Sequence, residues 1–456
     1  MRIEDIYEIY QQHPVVTTDN RQCGEGDMFF ALKGASFDGN KFAASALEAG
    51  CAYAVVDEKE YAVEGDRRYI LVDDVLSTLQ SLAAYHRQQL SIPVLQITGT
   101  NGKTTTKELV SAVLSRKYNT LFTQGNLNNH IGVPRTLLRI RPEHEMAVVE
   151  TGANHPGEIA FLCKMVQADY GLITNVGRAH LEGFGSFEGV KATKGELYDD
   201  LAARGKHVFL NAFDDDLRQM AESRNAEVIA YVEGRVEDCT SFLVAQWREG
   251  DEMPWHTVQT HLVGAYNIAN IRAAVTVGLY FGVPAEDIDA ALAAYVPTNS
   301  RSEFRDTGKN KLIVDAYNAN PSSMTAALTN FGMMDVPNKM AILGDMRELG
   351  AGSEQEHRNI VALLGKNGVE QAWLVGSEFE KVARLAAPLC PSGISPEGEN
   401  GCAVTTIAEG EKGCVIRTFA DVEEVKAELK ANPLEGYTIL IKGSNGTKLF
   451  QLPELL

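Results

Sequence analysis

The chain has 456 residues and a formal net charge of −19, from 42 basic against 61 acidic side chains. This charge argues against nucleic acid as a partner, because a phosphate backbone needs a basic surface. Hydrophobic residues make up 45% and charged residues 23%, the composition of a soluble globular protein of two to four domains. The amino-terminus has no apolar signal core and no run approaches membrane-spanning length, so we expect no membrane insertion. The seven cysteines are scattered, which predicts reduced thiols and a cytoplasmic protein.

The first eighty residues alternate short apolar runs with polar clusters, the pattern of a small α/β unit. It predicts strands over 28–32, 53–56 and 69–72, and a helix over 43–49. Polar clusters at 18–21 and 36–40 favour turns when each is taken alone. A helix over 75–89 is predicted to connect this unit to the next one.

The stretch with the most specific chemistry follows that helix. Residues 94–98 predict a buried strand, residues 107–114 predict a helix, and residues 99–105 between them read GTNGKTT. A glycine loop between strand and helix presents backbone N–H groups to phosphate, while Lys103 reaches the terminal phosphates and the Thr104 hydroxyl suits Mg²⁺. We therefore predict a phosphate loop; the alternative is a turn that only caps the helix.

Strands and helices then alternate to about residue 297, which predicts a mostly parallel, doubly wound sheet whose ligands gather at the carboxyl ends of the strands. The strand at 146–149 runs into Glu150, and the strand at 170–174 leads to His180. A carboxylate and an imidazole at neighbouring strand ends suit the cation that nucleotide phosphates bring. The alternative for His180 is a histidine satisfied within its own loop.

Two asparagine-rich stretches leave alternatives open. Residues 125–134 read GNLNNHIGVP, and such amides either position water, metal or phosphate, or form a turn before a helix. Residues 264–270 read GAYNIAN and open a helix that is predicted to end near residue 282. Asn267 and Asn270 lie three positions apart on one helical face, where their amides are placed to meet the edge of a base. Helix capping is the competing explanation for one of them.

A third section begins after Pro297. Strands predicted over 311–314, 339–343, 373–375 and 437–441 each end in a polar loop, which indicates a second, Rossmann-like sheet. Residues 391–413 are rich in Gly, Glu, Ser and Thr and predict a surface excursion or hairpin.

Taken together, these motifs resemble the Mur ligases, the ATP-dependent amide-forming enzymes of bacterial wall precursor synthesis. Besides the phosphate loop and GNLNNHIGVP, the chain has AHLEGFGS at 179–186, YNANP at 317–321 and LGDMRELG at 343–350, in family order. They are most similar to the members that add D-alanyl-D-alanine. The DNPR motif of the diaminopimelate-adding members is absent.

The resemblance implies an α/β protein of three domains: residues 1–80 for the UDP-sugar, 81–297 for ATP, and 298–456 closing on the nucleotide and binding the dipeptide. It implies that ATP, with Mg²⁺, converts the carboxylate of UDP-N-acetylmuramoyl-tripeptide into an acyl phosphate. The amine of D-Ala-D-Ala then attacks, giving the pentapeptide. It further implies a cytoplasmic monomer that binds neither nucleic acid nor membrane.

The resemblance also assigns individual residues. Lys194 matches the family position where a lysine carries a carbamoyl group from CO₂, and it joins Lys103, Glu150 and His180 as catalytic. The metal ligands implied are Thr104, Glu150, His180 and the modified Lys194. The nucleotide residues implied are Gly99, Thr100, Asn101, Gly102, Lys103, Thr104, Thr105, Asn129, Asn267, Asn270, Arg301 and Asp315. The substrate residues implied are Asn20, Arg21, Lys33 and Gly34 for the UDP-sugar, and Asn318, Asn320 and Lys442 where the dipeptide enters.

Two rival functions remain at this level. Another Mur ligase or a folylpolyglutamate synthase shares the loop, although the first eighty residues and the YNANP motif argue against the folate enzyme. A non-catalytic nucleotide-binding module is the rival from another class. Loss of Lys103, Glu150, His180 or Lys194 would favour that module, and all four are present.

Overall fold

The computed structural model of the chain describes residues 1–298, 301–386, 404–407 and 414–456. Most of the predicted excursion at 391–413 therefore lies outside the described residues, as do Cys390 and Cys402. The other five cysteines are free thiols, as predicted.

The amino-terminal part forms a four-stranded parallel sheet in the order β1-β2-β5-β6, with a small antiparallel hairpin, β3-β4, beside it. The predicted strands are present within one or two residues of their expected ends. The elements are α1 (Ile3–Gln12), β1 (Val16–Thr17), β2 (Met28–Phe30), β3 (Lys33–Gly34), β4 (Phe37–Asp38), α2 (Ala43–Glu48), β5 (Tyr53–Val56), β6 (Tyr69–Leu71) and α3 (Val75–Gln88).

The central part is a six-stranded sheet in the order β12-β11-β10-β7-β9-β8, and every pairing in it is parallel. This confirms the doubly wound sheet. Its elements are β7 (Val94–Thr98), α4 (Lys103–Leu114), β8 (Thr120–Phe122), α5 (Gly132–Leu137), β9 (Met146–Glu150), α6 (Glu158–Val166), β10 (Tyr170–Ile173), α7 (Leu181–Phe184), α8 (Phe187–Ala203), β11 (His207–Leu210), α9 (Asp215–Glu222) and β12 (Glu227–Ala230).

Helix α4 begins at Lys103, four residues earlier than its apolar periodicity indicates. Its first turn is rich in threonine, so no apolar stripe marks that turn in the sequence. The left-handed backbone of Gly102, with φ +78°, precedes the helix and sets its start.

A three-stranded antiparallel sheet, which we had not predicted, follows the central sheet in the order β13-β14-β15. Two helices come next, and the first of them packs along the phosphate-loop helix α4. These elements are β13 (Glu233–Asp238), β14 (Val244–Arg248), β15 (His256–Gln259), α10 (Ile268–Tyr280) and α11 (Ala285–Ala294).

The carboxyl-terminal part is a seven-stranded sheet in the order β16-β17-β22-β18-β19-β21-β20, parallel except for its two edge strands. This is the predicted Rossmann-like sheet. Its elements are β16 (Glu303–Asp306), β17 (Lys311–Asp315), α12 (Pro321–Met333), β18 (Lys339–Gly344), α13 (Ser353–Lys366), β19 (Gln371–Val375), α14 (Ser377–Ala386), β20 (Val404–Ile407), β21 (Cys414–Phe419), α15 (Val422–Ala431) and β22 (Thr438–Lys442).

The amino-terminal and central sheets share one apolar core. The buried members of this one cluster include Tyr10 from α1, Met28 from β2, Leu82 from α3 and Val133 from α5. In contrast, the two cores of the carboxyl-terminal sheet are built from that sheet's own residues, with Val263 the single buried member contributed by earlier described residues.

Candidate active site

The predicted phosphate loop lies between the end of β7 and the start of α4, and two of its positions require glycine. Gly99 has φ +142°, and a Cβ there would lie 2.0 Å from Oγ1 of Thr174. Gly102 has φ +78°, and a Cβ there would lie 2.8 Å from Oδ1 of Asn270. Only a residue without a side chain allows the backbone to approach the next strand and α10 this closely.

The loop is held in shape by the end of the neighbouring strand β10. Asn175 accepts a hydrogen bond from the backbone N–H of Asn101 through Oδ1 at 3.0 Å and donates through Nδ2 to the carbonyl of Asn101 at 3.0 Å. The hydroxyl of Thr174 donates to the same carbonyl at 2.6 Å. The loop conformation is therefore fixed by the protein itself.

Lys103 lies inside this loop and is hydrogen-bonded to it. Its Nζ donates to the carbonyls of Gly99 at 2.8 Å and Thr100 at 3.0 Å. Burial lowers the pKa of Lys103 to about 8; the nearby Glu150 carboxylate opposes this shift and the Arg301 guanidinium adds to it. The ammonium is thus held where a terminal phosphate would meet it.

Glu150 is fully buried at the end of β9 and faces the start of α4. Its Oε1 accepts hydrogen bonds from the Thr104 hydroxyl at 3.2 Å and from Nδ2 of Asn128 at 2.8 Å. Its Oε2 has no hydrogen-bond partner in the protein. An unpartnered buried carboxylate oxygen is costly unless something else satisfies it, which makes this atom the clearest candidate cation ligand.

His180 lies at the start of the short helix α7, with a left-handed backbone of φ +50°. Strands β9 and β10 flank β7 on opposite sides. The prediction that Glu150 and His180 follow neighbouring strands is therefore wrong. Nδ1 of His180 contacts the carboxylate of Glu348, a residue of the carboxyl-terminal sheet. Burial lowers the pKa of His180, Glu348 opposes this shift, and the charges of Lys103 and Lys194 add to it.

Lys194 lies on α8 and is 2% exposed. Its Nζ is 3.4 Å from the carbonyl oxygen of Ala153 and 5.5 Å from the centre of the Phe184 ring. Burial and, to a smaller extent, the charge of Lys103 lower the pKa of Lys194 to about 7, against the opposing effects of Glu158 and Glu196. The neutral amine of Lys194 is therefore easier to reach near pH 7 than that of an ordinary lysine.

A cavity of about 1040 Å³ opens between the central and carboxyl-terminal sheets and collects most of the predicted residues. Gly99, Thr104, Lys194 and Asn320 do not line it. The predicted residues that do are Thr100, Asn101, Gly102, Lys103, Thr105, Asn129, Glu150, His180, Asn267, Asn270, Arg301, Asp315, Asn318 and Lys442.

The two asparagines at the start of α10 share a face, as predicted. Nδ2 of Asn270 donates to Oδ1 of Asn267 at 2.8 Å, and the Thr106 hydroxyl donates to Oδ1 of Asn270 at 3.0 Å. Asn267 donates through Nδ2 to the carbonyl of Val263 at 2.9 Å. Neither amide makes a side-chain cap of α10, which argues against the capping explanation.

In the asparagine-rich loop, the turn alternative applies to Asn129. Oδ1 of Asn129 accepts from the backbone N–H groups of Ile131 at 3.1 Å and Gly132 at 2.9 Å, which is turn formation before α5. Its neighbour Asn128 binds Glu150 instead. Asn128 was part of the predicted motif but had not been singled out.

The carboxyl-terminal sheet contributes a second group of polar residues to the cavity. Lys442, 1% exposed at the end of β22, donates from Nζ to Oδ2 of Asp315 at 2.5 Å and to the carbonyl of Asn318 at 3.3 Å. Arg301 lies over the ring of Tyr317, with its Cζ 3.9 Å from the ring centre.

Asn320 connects the two sheets. Its Oδ1 accepts from the backbone N–H of Ser323 at 2.9 Å, which caps α12, and its Nδ2 donates to Oδ1 of Asn101 at 2.8 Å. Asn101 of the phosphate loop is therefore hydrogen-bonded directly to the amino-terminal cap of α12, the first helix of the carboxyl-terminal part.

The four residues predicted for the UDP-sugar lie elsewhere, at the carboxyl edge of the amino-terminal sheet. Asn20 and Arg21 form the turn after β1, and Lys33 and Gly34 lie in the hairpin after the adjacent parallel strand β2. Arg21 pairs with Asp19 at 2.8 Å, and Lys33 pairs with Asp57 at 2.8 Å and with Glu58 at 2.7 Å. None of the four lines the large cavity.

Three contributors to the site were missed from sequence: Asn128, Asn175 and Glu348. Each stands in a polar loop after a strand or within a motif, which is the only signal the sequence offers. Within the described part of the chain, no group of three or more His, Cys, Asp and Glu side chains is arranged to hold a metal, and no helix is both long and apolar enough to cross a membrane.

Comparisons with known proteins agree with this architecture. Family models match residues 14–87 (Mur ligase family, catalytic domain), 97–278 (Mur ligase middle domain) and 300–445 (Mur ligase, glutamate ligase domain).

Curated relatives and solved structures resemble the chain over most of its length. The UDP-N-acetylmuramoyl-tripeptide–D-alanyl-D-alanine ligase of Bacillus subtilis is 33% identical, covering 96% of this chain and 92% of the relative. Its Escherichia coli counterpart is 36% identical, covering 81% and 82%. A crystal structure of MurF from Acinetobacter baumannii superposes with a TM-score of 0.80 at 29% identity, covering 98% and 97%. The chain therefore belongs to the Mur ligase family.

Proposed function

We propose that this protein is the ATP-dependent ligase that joins D-Ala-D-Ala to UDP-N-acetylmuramoyl-tripeptide, giving the pentapeptide precursor of peptidoglycan. The observation that carries the proposal is the shared cavity. The phosphate loop with Lys103 and Glu150 lies on one side of it, and Lys442, Asp315 and Asn318 lie on the other. The similarity to ligases of this name in two bacteria, at 33% and 36% identity, supports the choice of substrates.

The reaction needs a carboxylate oxygen to become a leaving group. An oxygen of the tripeptide's terminal carboxylate attacks the γ-phosphorus of ATP, the bond to ADP breaks, and an acyl phosphate forms. The unprotonated amine of the dipeptide then attacks the acyl carbon, phosphate leaves, and the amine loses a proton. Lys103 stabilises the charge that moves in the first step, and enclosure between the two sheets excludes water.

The residues present fit Mg²⁺. This ion keeps several water ligands and is usually bound by one or two protein carboxylates together with substrate phosphates. The free Oε2 of Glu150 and the hydroxyl of Thr104, which is held against the same carboxylate, meet that requirement, with His180 nearby. When bound, the ion would supply positive charge to the phosphates.

Lys194 is the residue we propose to be carbamoylated. Its ammonium first loses one proton; the neutral amine then adds to CO₂, forming a new N–C bond and releasing a second proton, so a cation becomes an anion. Burial and the Lys103 charge already disfavour its ammonium, as the pKa of about 7 indicates. The resulting carbamate would offer two oxygens to a hard cation.

The remaining residues are assigned by their place in the fold. We assign the rest of the phosphate loop, together with Asn129, Asn267, Asn270, Arg301 and Asp315, to the nucleotide. Asn20, Arg21, Lys33 and Gly34 hold the UDP-sugar, and Asn320 joins Asn318 and Lys442 on the dipeptide side. The protein acts as a cytoplasmic monomer.

The three domains proposed are residues 1–80, 81–297 and 298–456, the last moving as a body about the junction near Pro297. Small-angle scattering tests this motion. The radius of gyration should fall when ATP analogue and UDP-substrate are added together. An unchanged scattering curve would contradict it.

The decisive experiment measures phosphate release from ATP with UDP-muramoyl-tripeptide, with and without D-Ala-D-Ala. Release that requires the dipeptide, with pentapeptide as product, supports the proposal. Free D-Ala should be a poor substitute, and glutamate added to a folate would instead identify a folylpolyglutamate synthase. No turnover of ATP with any of these substrates would favour the non-catalytic nucleotide-binding module.

Two variants test the assigned residues. Lys103→Ala should lose transition-state stabilisation of about 3–4 kcal/mol, the scale of one lost donor, while remaining folded. Lys194→Ala should lose most activity and recover part of it with short carboxylates that fill the vacated space. Full activity in either folded variant would refute that residue's role.

A further inference from the structure

The motif LGDMRELG at residues 343–350 has no part in the function described so far, yet it reaches the site. Glu348 extends from the loop after β18 to the central part of the chain. Its carboxylate contacts Nδ1 of His180, and its carbonyl accepts from the backbone N–H of Glu182 at 3.2 Å. The loop therefore contacts His180 through the Glu348 side chain and helix α7 through the Glu348 backbone.

Both partners in this contact have unusual backbones. His180 has φ +50° and Glu348 has φ +62°, in the left-handed region that residues with side chains rarely adopt. Such conformations persist only where the surrounding structure holds them, and they are found frequently at functional sites. Here two such residues face each other across the junction of two sheets. This indicates that the fold maintains their contact in spite of the backbone strain.

The loop that carries Glu348 is anchored by hydrogen bonds at two positions just before that residue. The backbone N–H of Met346 donates to Nε2 of the fully buried His357 at 3.1 Å. The carboxylate of Asp345 accepts from the backbone N–H groups of Glu378 and Phe379, each at 3.0 Å, at the start of α14. Glu348 therefore projects from a well-anchored loop of the carboxyl-terminal sheet.

We propose that Glu348 is a positioning residue that fixes the tautomer of His180 and thereby completes the metal site only when the carboxyl-terminal sheet is docked. A carboxylate can only accept, so Nδ1 carries the proton and Nε2 keeps its lone pair for the ion. Histidines that bind metals typically donate their other N–H to such a carboxylate. The inference rests on the proposed Mg²⁺ site, and it adds a residue from the opposite side of the cavity.

This arrangement couples metal binding to domain closure. If docking of Glu348 raises the affinity of the site for the ion, then binding of the ion must stabilise docking by the same factor. Metal and nucleotide would then favour the closed form together, and the reaction would begin only when the cavity is sealed.

The test uses Mn²⁺ in place of Mg²⁺. Electron paramagnetic resonance measures how much Mn²⁺ binds to the full-length protein in the presence of a non-hydrolysable ATP analogue. Glu348→Asn tolerates the left-handed backbone but is too short to reach His180. It should weaken Mn²⁺ binding about 10- to 100-fold, the usual effect of losing such a partner. Glu348→Gln, which keeps its reach but not its charge, should recover part of the loss.

Glu356→Gln is the matched control. Glu356 pairs with Arg178 at 2.9 Å across the same junction but does not touch His180. At high salt, where the charge of the largely exposed Arg178 is screened, this variant should bind Mn²⁺ within about twofold of the parent protein. ¹⁵N spectra of the His180 ring should show the proton on Nδ1 in the parent and in Glu356→Gln, but a mixture of tautomers in Glu348→Asn.

Equal Mn²⁺ affinity in Glu348→Asn and the parent would overturn the inference while leaving the proposed function intact. An equal loss in Glu356→Gln would also overturn it, because closure alone would then explain the effect. If the parent itself binds no Mn²⁺ with the nucleotide analogue, the proposed metal site fails as well.

Discussion

The junction between the amino-terminal and central sheets is apolar, whereas the junction between the central and carboxyl-terminal sheets is polar. Tyr10, Leu82 and Val133 are buried in one cluster that continues across the first junction. The second junction contains the amide pair Asn101–Asn320 and the ion pair Arg178–Glu356. Burying a shared core makes separation costly, while polar groups can exchange protein partners for water at little net cost. We therefore expect the first two sheets to behave as one rigid unit and the third sheet to move against them.

The largest expected effect comes from a cavity in the shared core. Leu82→Ala should lower the free energy of unfolding by about 3 kcal/mol, within the usual range for a buried leucine. Hydrogen exchange measured by mass spectrometry should then speed up in β2 and β9 together, because both strands depend on the same core.

Leu440→Ala is the matched substitution in a core of the carboxyl-terminal sheet, where Leu440 is 1% exposed. It should speed up exchange in β17 and β18 and leave β2 unchanged. If Leu82→Ala affected β2 alone, the first junction would not be a shared core.

Asn320→Ala should cost about 1 kcal/mol of stability, since it removes the cap of α12 as well as the amide pair with Asn101. Asn320→Ser separates the two roles because serine caps helices well but is too short to reach Asn101. The serine variant should keep the parent's melting temperature and yet show a more open scattering curve without nucleotide. A curve identical to that of the parent would mean that the amide pair does not hold the sheets together.

The apolar junction also has a titratable group, His86 on α3. It is 6% exposed, with Nδ1 3.1 Å from the Tyr7 hydroxyl and Nε2 3.0 Å from the carbonyl of Ile140, and burial lowers its pKa below the ordinary 6.5. Below pH 6.5 the unfolded chain binds a proton that the folded chain does not, so stability falls with falling pH; above it this group contributes no slope.

His86→Gln should flatten the loss of stability between about pH 7.5 and about pH 5, as followed by urea unfolding. At about pH 7.5 the free energy of unfolding of the variant should stay close to that of the parent, so that the main difference lies in its dependence on pH. A parent and variant with the same pH profile would show that His86 does not titrate differently in the folded state.

The smallest effect is expected at the exposed ion pair of the polar junction. Arg178→Gln should change the free energy of unfolding by less than about 1 kcal/mol, because Arg178 is largely exposed and its charge is screened. Its consequence should appear in scattering at low salt, with the variant more open than the parent. At high salt the two curves should coincide; a difference that persists there would point to packing as the cause.

The elements that could be predicted from sequence are those with a strong apolar signal. Buried strands such as β7 and β9 are mostly apolar, and they agree with prediction to within one residue. The antiparallel sheet β13-β15 was missed because its strands alternate; in β14, Ala245 and Trp247 are buried between more exposed neighbours. A strand of five residues with two buried positions gives a much weaker sequence signal than the phosphate loop does.

The same limit applies to the site. The phosphate loop is local, so its strand, glycines and helix can be read from one stretch of sequence. The contact between His180 and Glu348 joins residues 168 positions apart. No local pattern indicates that pairing, since it depends on how two sheets dock, and the same is true of Asn101 with Asn320.

The shared core also has a consequence for the order in which the chain folds during synthesis. Its buried members extend from Ile6 to Ala221, so the first sheet leaves the ribosome long before its core is complete. Within the described part of the chain, the small cluster between Phe29 and Val56 can close earlier from local residues. Domains generally fold as units as they emerge. Here the first such unit spans about half of the chain, and chaperones would meet its exposed apolar surface throughout that interval.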